Sequence, residues 1–524
     1  MSSPQEMSGL WYNITDMTKR SRTKNTARNM MMAVILNVVT IAIGLFTQRI
    51  FLHILGAEYM GLNSLFVNIL SALAVAELGI GNAIIFSMYK PMAEDDHQTI
   101  RALMAFYKKW YAIIGFVILC LGLVILPFTP IIVGEQSLDV SVQIIFAISL
   151  ADIVLSYYLG YKRSIIFVAQ RNYIIDFIGL IYIVLLASLQ MLVLFLTKNY
   201  YLYLIVKLAL RILQNVVLNT IAGKLFPYIK EPNPPALSKT VRKDIAKKVK
   251  GLVYHKVSTF IVLGTDNIII TTFLGLFING LYASYYMIIS SLQSVFSQVI
   301  AATTASVGNL LVENNKPKQF DVFRKIRFIN FWLAMLGMTG LVVVMDSFIK
   351  VWLGPEFLLG FEVLVVLAIN FYVAVTRMSY SVFKEAAGIF YEDRFVPIVE
   401  SLVNIVASVI LVNIFGLAGV FMGTILSSMV LFVYSYPKFV YKNLFGRSYR
   451  QYAIETVAYA VLAGAICAVT FFATRYATDL MGLTGIPLVV ANVAAVLIIP
   501  NLLMFVLFAK NDNLKFFTKK LLRR

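Results

Sequence analysis

Long apolar runs that recur along the whole chain constrain its fold more than any other feature of the sequence. A helix needs about 20 mostly apolar residues to cross the ~30 Å hydrocarbon core of a bilayer, where only helices or closed barrels satisfy the backbone. Of the 524 residues, 60% are hydrophobic and 14% are charged. Runs such as 456–474 do not alternate in polarity as the strands of a membrane barrel would. The sequence therefore predicts an all-α polytopic membrane protein.

We predict fourteen transmembrane helices and five segments along the chain. The predicted helices cover residues 30–52, 62–86, 111–133, 142–160, 174–196, 202–222, 252–274, 282–306, 329–349, 362–383, 398–415, 417–436, 456–474 and 487–509. The segments are a cytoplasmic tail (1–29), a first lobe of six helices (30–222), a basic linker (223–251), a second lobe of six helices (252–437), and the last two helices with a basic tail (438–524).

The distribution of basic residues predicts the orientation, because Lys and Arg stay on the cytoplasmic side of short loops. With both termini inside, most of the 45 Lys and Arg residues lie in cytoplasmic segments, whereas the outer loops hold Lys198, Lys350 and Arg475. Membrane topology thus explains the formal charge of +19, and nucleic acid is not expected as a partner. The linker begins with prolines and continues as a basic stretch with apolar residues at four-residue spacing. It is predicted to be an interfacial helix, with a solvated charged linker as the alternative.

An internal repeat supports two equivalent lobes. Residues 55–62 (LGAEYMGL) match 274–281 (LGLFINGL), and residues 131–135 match 351–356 about 220 positions later. Six helices per copy place both copies in one orientation, so we expect a pseudo-twofold axis along the membrane normal. Transporters built from such repeats bind substrate between the lobes and alternate access by rocking.

These residues also resemble a known family. The features are Arg49 followed by the 55–62 motif, the stretch 77–81 (ELGIG), residues 265–267 (TDN) with 280–282 (GLY), and residues 352–356 (WLGPE). In this order and spacing they are similar to the polysaccharide transporters of the multidrug/oligosaccharidyl-lipid/polysaccharide flippase (MOP) superfamily, the Wzx-type flippases. The last two helices resemble those of the lipid II flippase branch, where such a pair borders a groove for the lipid tail.

The resemblance implies a function in the bacterial cytoplasmic membrane. It implies two six-helix lobes that move an undecaprenyl-diphosphate-linked oligosaccharide from the inner to the outer leaflet. The partners expected on this basis are that glycan, membrane lipid, a coupling ion (H⁺ or Na⁺), and other membrane proteins of polysaccharide assembly.

Ionisable residues inside a bilayer cost about 3 kcal/mol or more, so they are expected to face a cavity or a partner. In the sixth predicted helix, Lys207, Arg211, Asn215 and Asn219 recur at every fourth position and lie on one face. Arg211 is too deep to reach the interface easily, so we predict that it contacts the substrate diphosphate, with Lys207 and Asn215 beside it. Lys207 is shallower, and its alternative is to reach the interface.

Other polar residues extend the predicted site. Arg377 either lines the cleft or reaches the cytoplasmic interface, and Lys256 is expected at the cytoplasmic mouth. Asn68, Gln293 and Gln298 represent polar faces on corresponding helices of both lobes, which suit a sugar-binding cleft; packing between helices is the alternative.

Acidic residues within the predicted spans are candidates for a gate or for ion coupling. Arg49 and Asp266 lie at nearly the same depth on equivalent helices, so they are predicted to pair when the outer mouth closes; alternatively, Arg49 reaches outward or pairs with Glu58. Glu77 and Asp176 either neutralise a basic partner or carry a coupling ion.

Several other function classes fit the sequence less well. There is no G-x-x-x-x-G-K-[ST] loop for ATP, and the three His residues are widely spaced, so no cofactor or catalytic metal is expected. A membrane glycan polymerase or ligase would need a large outer loop, and the predicted outer loops are short, so we do not expect an enzyme. A cation-coupled multidrug exporter of the same superfamily is the main alternative, and a membrane scaffold is a third class.

Overall fold

The computed structural model describes residues 4–77, 79–134, 138–243, 245–246, 249, 264–313, 315–389 and 392–515, and every regular element in those ranges is helical. The α-helices are α1 (Pro4–Leu55), α2 (Ala57–Ala74), α3 (Ile80–Ala93), α4 (His97–Ile125), α5 (Thr129–Val133), α6 (Val142–Gly160), α7 (Arg163–Val168), α8 (Asn172–Thr197), α9 (Tyr200–Leu225), α10 (Asp266–Ala301), α11 (Thr304–Val312), α12 (Lys316–Trp352), α13 (Phe361–Ala386), α14 (Val396–Val430), α15 (Tyr449–Leu480) and α16 (Gly485–Leu507). The all-α prediction is confirmed.

Eleven helical segments in the described ranges are long and apolar enough to cross a membrane. Two of them each hold two predicted spans, because α10 bends at Gly275 and α14 bends at Gly416 without an intervening loop. The predicted span 62–86 is divided between α2 and α3, which a short 3₁₀ turn separates. Most of the predicted span 252–274 falls outside the described residues. The chain is a multi-pass membrane protein.

The chain forms two compact units, and the first contains residues 1–56 and 66–256. In unit 1, α8 packs against α1 and α9, and α6 packs against α4 and α9. In the linker, residues 239–243 are helical, and the side chains of Leu237 and Ile245 are buried. Packing therefore covers these two apolar side chains, and the membrane-surface role of the linker helix stays a prediction.

The second unit contains residues 57–65 and 257–524. Its central helix is α12, which packs against α13, α15 and α16, while α14 packs against α10 and α13. A π-helical stretch, Leu431–Leu444, continues α14 and contains Pro437. π-Helices are rare and often lie at functional sites, so this stretch is a candidate functional element.

The two repeat matches share an unusual backbone conformation. Gly56 (φ 96°, ψ 173°) and Gly275 (φ 86°, ψ 171°) have nearly the same backbone angles. Gly134 (φ 76°, ψ −175°) and Gly354 (φ 126°, ψ 160°) lie in the same region but differ more from each other. This region of backbone space is essentially open only to glycine. The repeated glycines therefore set the same sharp bend at equivalent positions.

A reciprocal contact within unit 2 adds to this symmetry. A Cβ on Gly61 would overlap the carbonyl of Leu276, and a Cβ on Gly280 would overlap the carbonyl of Ala57. Asn279 strengthens the contact by donating a hydrogen bond to the Gly61 carbonyl at 3.0 Å. Contacts that repeat with their partners exchanged are typical of a twofold relation, so the close approach follows the internal repeat.

Side-chain caps fix several helix starts. The Asp96 carboxylate accepts from the backbone N–H of Thr99 at 2.9 Å, and hydrogen bonds from Thr99 lower the pKa of this carboxyl group. Ser141, Asn199 and Ser448 cap α6, α9 and α15 in the same way. Each cap satisfies one of the amide groups that a helix start leaves open.

Candidate functional site

The α9 face predicted to be functional carries two cations around one carboxylate. The Lys207 Nζ lies 3.6 Å from the Asp152 Oδ2, and the Arg211 Nε lies 3.7 Å from the Asp152 Oδ1. Asp152 belongs to α6, which packs on α9, so the pairing depends on contact between these helices. About 30% of each cationic side chain is exposed, against 15% of Asp152. Within this group, one positive charge is left uncompensated on a partly open surface.

The surroundings of Arg211 hold it in place. Its guanidinium lies 4.9 Å from the centre of the Tyr182 ring on α8, a distance suited to a cation–π contact. Further along α9, Asn215 is buried and donates to the Arg211 carbonyl at 3.0 Å, and Asn219 donates to the Leu159 carbonyl on α6 at 2.9 Å. Both asparagine amides therefore donate to helix backbone, and contact of Asn215 with substrate stays a prediction.

The remaining predicted residues of unit 1 are dispersed. Glu77 accepts a hydrogen bond from the Tyr111 hydroxyl at 3.0 Å. Asp176 is half-buried on α8, and Arg49 is exposed near the end of α1. Asn68, on α2, is half-buried.

Asp266 begins α10 and is buried in unit 2. The Thr424 hydroxyl lies within 3.4 Å of its carboxylate, and Asn404 donates to the Thr424 hydroxyl oxygen at 3.1 Å. Asn404 also accepts from the Thr265 hydroxyl at 3.2 Å. A buried carboxylate held by neutral groups is chemically suited to exchange a proton or bind a small cation. The predicted pairing of Arg49 with Asp266 stays a prediction.

Arg377 is held by a buried acid. Its guanidinium contacts the Glu400 carboxylate at 2.7 Å and the Ser428 hydroxyl at 3.1 Å, and only 4% of the Glu400 side chain is exposed. The pair links α13 to α14. Of the other predicted residues, Gln293 is half-buried, Gln298 is exposed and donates to the Ser294 hydroxyl at 3.5 Å, and Lys256 lies outside the described residues.

A buried cluster around Arg327 was not predicted. Arg327 is 4% exposed, contacts the Glu455 carboxylate at 2.6 Å and donates to the Thr456 hydroxyl at 3.0 Å. The Tyr441 hydroxyl donates to the same carboxylate at 2.7 Å. The guanidinium also lies 5.0 Å from the centre of the Tyr459 ring. This cluster ties α12 to α15 and to the π-helical stretch.

Next to Arg327 lies a large apolar cavity, which we call the aromatic cavity. Its volume is about 630 Å³. The aromatic residues that line it are Phe331, Tyr372, Phe432, Tyr434, Tyr449, Tyr452 and Tyr459. Two other lining residues, Val433 and Val457, are 77% and 60% exposed, so the cavity opens at the surface of a membrane-spanning unit. Its walls come from α12, α13, α15, the end of α14 and the π-helical stretch. The arrangement can accept an apolar chain from the side.

Solved structures of membrane transporters are similar in fold to this chain. No protein-family model and no curated protein matches the chain. Among solved structures, it is similar to the lipid II flippase MurJ in an inward closed conformation, with a TM-score of 0.62 and 12% identity over 92% of this chain and 99% of MurJ. It is also similar to an inward-facing MATE multidrug resistance transporter of the MOP superfamily, with a TM-score of 0.56 and 15% identity over 75% of this chain and 91% of that transporter.

An outward-facing MATE transporter of the same superfamily matches with a TM-score of 0.50 and 18% identity, covering 78% of this chain and 93% of that transporter. These identities support similarity of fold alone. The chain has the fold of the MOP-superfamily transporters.

Proposed function

We propose that the chain is a flippase that moves an undecaprenyl-diphosphate-linked oligosaccharide, such as a repeat unit of capsule or O-antigen, from the inner to the outer leaflet by alternating access. The aromatic cavity is the observation that carries this proposal. A lipid-linked substrate stays partly in the bilayer, so its transporter needs an apolar surface that opens sideways. Lipid tails are as apolar as the protein surface, so the cavity selects its ligand by shape and close packing.

The polar end of such a substrate needs positive charge. Lys207 and Arg211 share Asp152, and the excess positive charge of this group suits a diphosphate. Arg211 offers a planar fork that matches phosphate oxygens better than a lysine does. We therefore assign diphosphate contact to Arg211, with Lys207 beside it.

The extent of the structural similarity also supports a lipid-linked substrate. The alignment with MurJ covers 92% of the chain, whereas those with the two MATE transporters cover 75% and 78%. One of the last two helices, α15, lines the aromatic cavity. In a flippase for a lipid-linked substrate, α15 would thus help to form the surface that accepts the lipid tail.

We place the protein in the bacterial cytoplasmic membrane with both termini in the cytoplasm, in agreement with the distribution of Lys and Arg. Asp266 is our candidate for coupling to H⁺ or Na⁺, because it is a buried carboxylate. Arg49 would complete an outer gate with it. Glu77 and Asp176 are further candidates for coupling, and the partners would include other membrane proteins of polysaccharide assembly.

A cation-coupled multidrug exporter is the second candidate. The MATE transporters among the structural neighbours favour it, and the buried Asp266 would serve such an exporter equally well. Its substrates would be cationic and apolar. Expression of an exporter in a drug-sensitive strain should raise resistance to cationic dyes, and a flippase should not.

Filling the aromatic cavity tests the flippase proposal. Val457→Trp places a large ring in the cavity, so glycan export should fall about tenfold, equivalent to losing ~1.4 kcal/mol of tail binding. Val469→Trp is the matched control, because Val469 is an exposed valine on the same helix outside the cavity lining. The measurement is surface glycan, together with intracellular undecaprenyl-linked glycan, in a deletion strain that carries each variant. Normal export by Val457→Trp would remove the support that the cavity gives.

A further inference from the structure

A second cavity, which we call the basic pocket, lies in unit 1 and is formed by residues outside the predicted transport site. Its volume is about 180 Å³, far above the ~15 Å³ that one ordered water needs. Its charged lining residues are Arg101, Lys108, Lys162 and Glu231. They come from α4, from the turn after α6, and from the segment after α9. Two separate parts of the chain thus bring positive charge to one pocket, and a third part brings one carboxylate.

The carboxylate in the pocket is already paired. The Glu231 Oε2 lies 3.0 Å from the Arg101 Nη1, and the Arg101 Nη2 donates to the Pro232 carbonyl at 2.9 Å. Within the described part of the chain, Lys108 and Lys162 have no carboxylate within ion-pair distance. The pocket therefore carries an excess of positive charge that the described residues do not neutralise.

The environment of Lys162 shows the effect of this excess. Burial lowers the pKa of Lys162, and the nearby charges of Lys230 and Lys108 lower it further. Like charges held close together repel one another, and an anion between them relieves that repulsion. Lys230 adds to the cluster because its side chain lies across Gly223, where any larger residue would displace it.

Arg101 offers a further donor to a ligand. Its side chain is 10% exposed, and its Nε is buried without a hydrogen-bond partner among the described residues. Buried donors are nearly always paired in folded proteins, so an unpaired one calls for an explanation. A ligand oxygen in the pocket would provide one.

We propose that the basic pocket binds a phosphate group at the end of unit 1 that the Lys and Arg distribution places in the cytoplasm. Phosphate oxygens accept several charge-assisted hydrogen bonds at once, which the lysines and the Arg101 Nε can donate. The phosphate comes either from the headgroup of an anionic lipid in the inner leaflet or from a soluble phosphate in the cytoplasm. This inference is independent of what the protein transports.

The test uses the full-length protein and two probes. In nanodiscs, phosphatidic acid is compared with phosphatidylcholine of the same acyl chains; in detergent, inorganic pyrophosphate is titrated by calorimetry. Lipid binding is read by native mass spectrometry.

The variant Lys108→Gln/Lys162→Gln removes two pocket charges. The control Lys109→Gln/Lys224→Gln removes the same charge from exposed lysines outside the pocket lining. Lys162→Arg keeps the charge and should keep binding.

The expected result is saturable binding of one probe, weakened about tenfold or more in the pocket variant and within about twofold of wild type in the control. Preference for phosphatidic acid over phosphatidylcholine identifies a lipid headgroup, and binding of pyrophosphate alone identifies a soluble ligand. The proposal is overturned if neither probe binds wild type, or if the pocket variant and the control bind equally. Equal melting temperatures without ligand show that the pocket variant is folded; if it is unfolded, Lys162→Gln alone takes its place.

Discussion

Arg211 and Lys207 stand one helical turn apart on α9, and both lie within 4 Å of the Asp152 carboxylate. Arg211 contributes charge to neutralise Asp152, and about 30% of its side chain is exposed. If the exposed part contacts the substrate diphosphate, removing it should affect transport more than folding.

Arg211→Ala should therefore lower glycan export by roughly a hundredfold while membrane insertion is kept, since truncating one partner of a charged contact costs several kcal/mol. Arg211→Lys should be intermediate, because it retains the charge and loses the fork. Arg475→Ala is the control, since Arg475 is 69% exposed and forms an ion pair with Asp479 on its own helix. Normal export by a well-expressed Arg211→Ala protein would refute the assignment.

At the residue scale, the sequence predicts which residues are unusual better than it predicts their partners. The four-residue spacing on α9 indicates a polar face, but the choice of Asp152 depends on how α6 packs beside it. Arg327 was missed for a related reason. It lies just before the predicted span 329–349, and Glu455 lies just before 456–474, so neither falls among the charged residues inside the predicted spans. Their burial follows from the packing of α12 and α15.

At the element scale, the most constrained positions are the repeated glycines. Gly280→Ala should destabilise the protein because its Cβ would overlap the Ala57 carbonyl, and backbone can move only by shifting a helix. A loss of roughly 1–3 kcal/mol is expected, as for overpacking in a core. Gly61→Ala should behave alike because its contact is reciprocal. Thermal unfolding in detergent measures both.

Gly464→Ala is the matched control for this prediction. Gly464 lies in α15, and a Cβ there would have no neighbour within 4 Å. The change should therefore leave the melting temperature unchanged or raise it slightly, because alanine favours helix. Equal melting temperatures for Gly280→Ala and Gly464→Ala would contradict the close approach.

The positions of the spans could be predicted because each needs a long apolar run. The predicted span ends at residues 274 and 415 coincide with the bends at Gly275 and Gly416, whereas the continuation of the helix directly after Gly275, without a loop over 275–281, could not be predicted. The π-helical stretch was also missed. Its first six residues belong to the predicted span 417–436, and the turns beyond that span contain Pro437, while the stretch packs against α15.

At the scale of the whole molecule, the orientation in the membrane is still a prediction. On a background without Cys120 and Cys467, cysteines at Phe277 and Glu356 should react with an impermeant maleimide added to intact cells. A cysteine at Asn315 should react only after permeabilisation, because the short segment before α12 is predicted to be cytoplasmic. All three native side chains are exposed, so access does not limit labelling. Labelling at Asn315 in intact cells would reverse the topology.

Reconstitution measures directly whether this chain moves a lipid-linked glycan between leaflets, as we propose. Vesicles containing the purified protein and a fluorescent undecaprenyl-diphosphate-linked oligosaccharide are treated with an impermeant reductant that destroys the fluorophore only in the outer leaflet. Protein-free vesicles and vesicles with Arg211→Ala provide the reference. We predict that the wild-type protein brings inner-leaflet substrate outward, so fluorescence decays well below the level of both references. Decay that stops at the protein-free level would contradict the account.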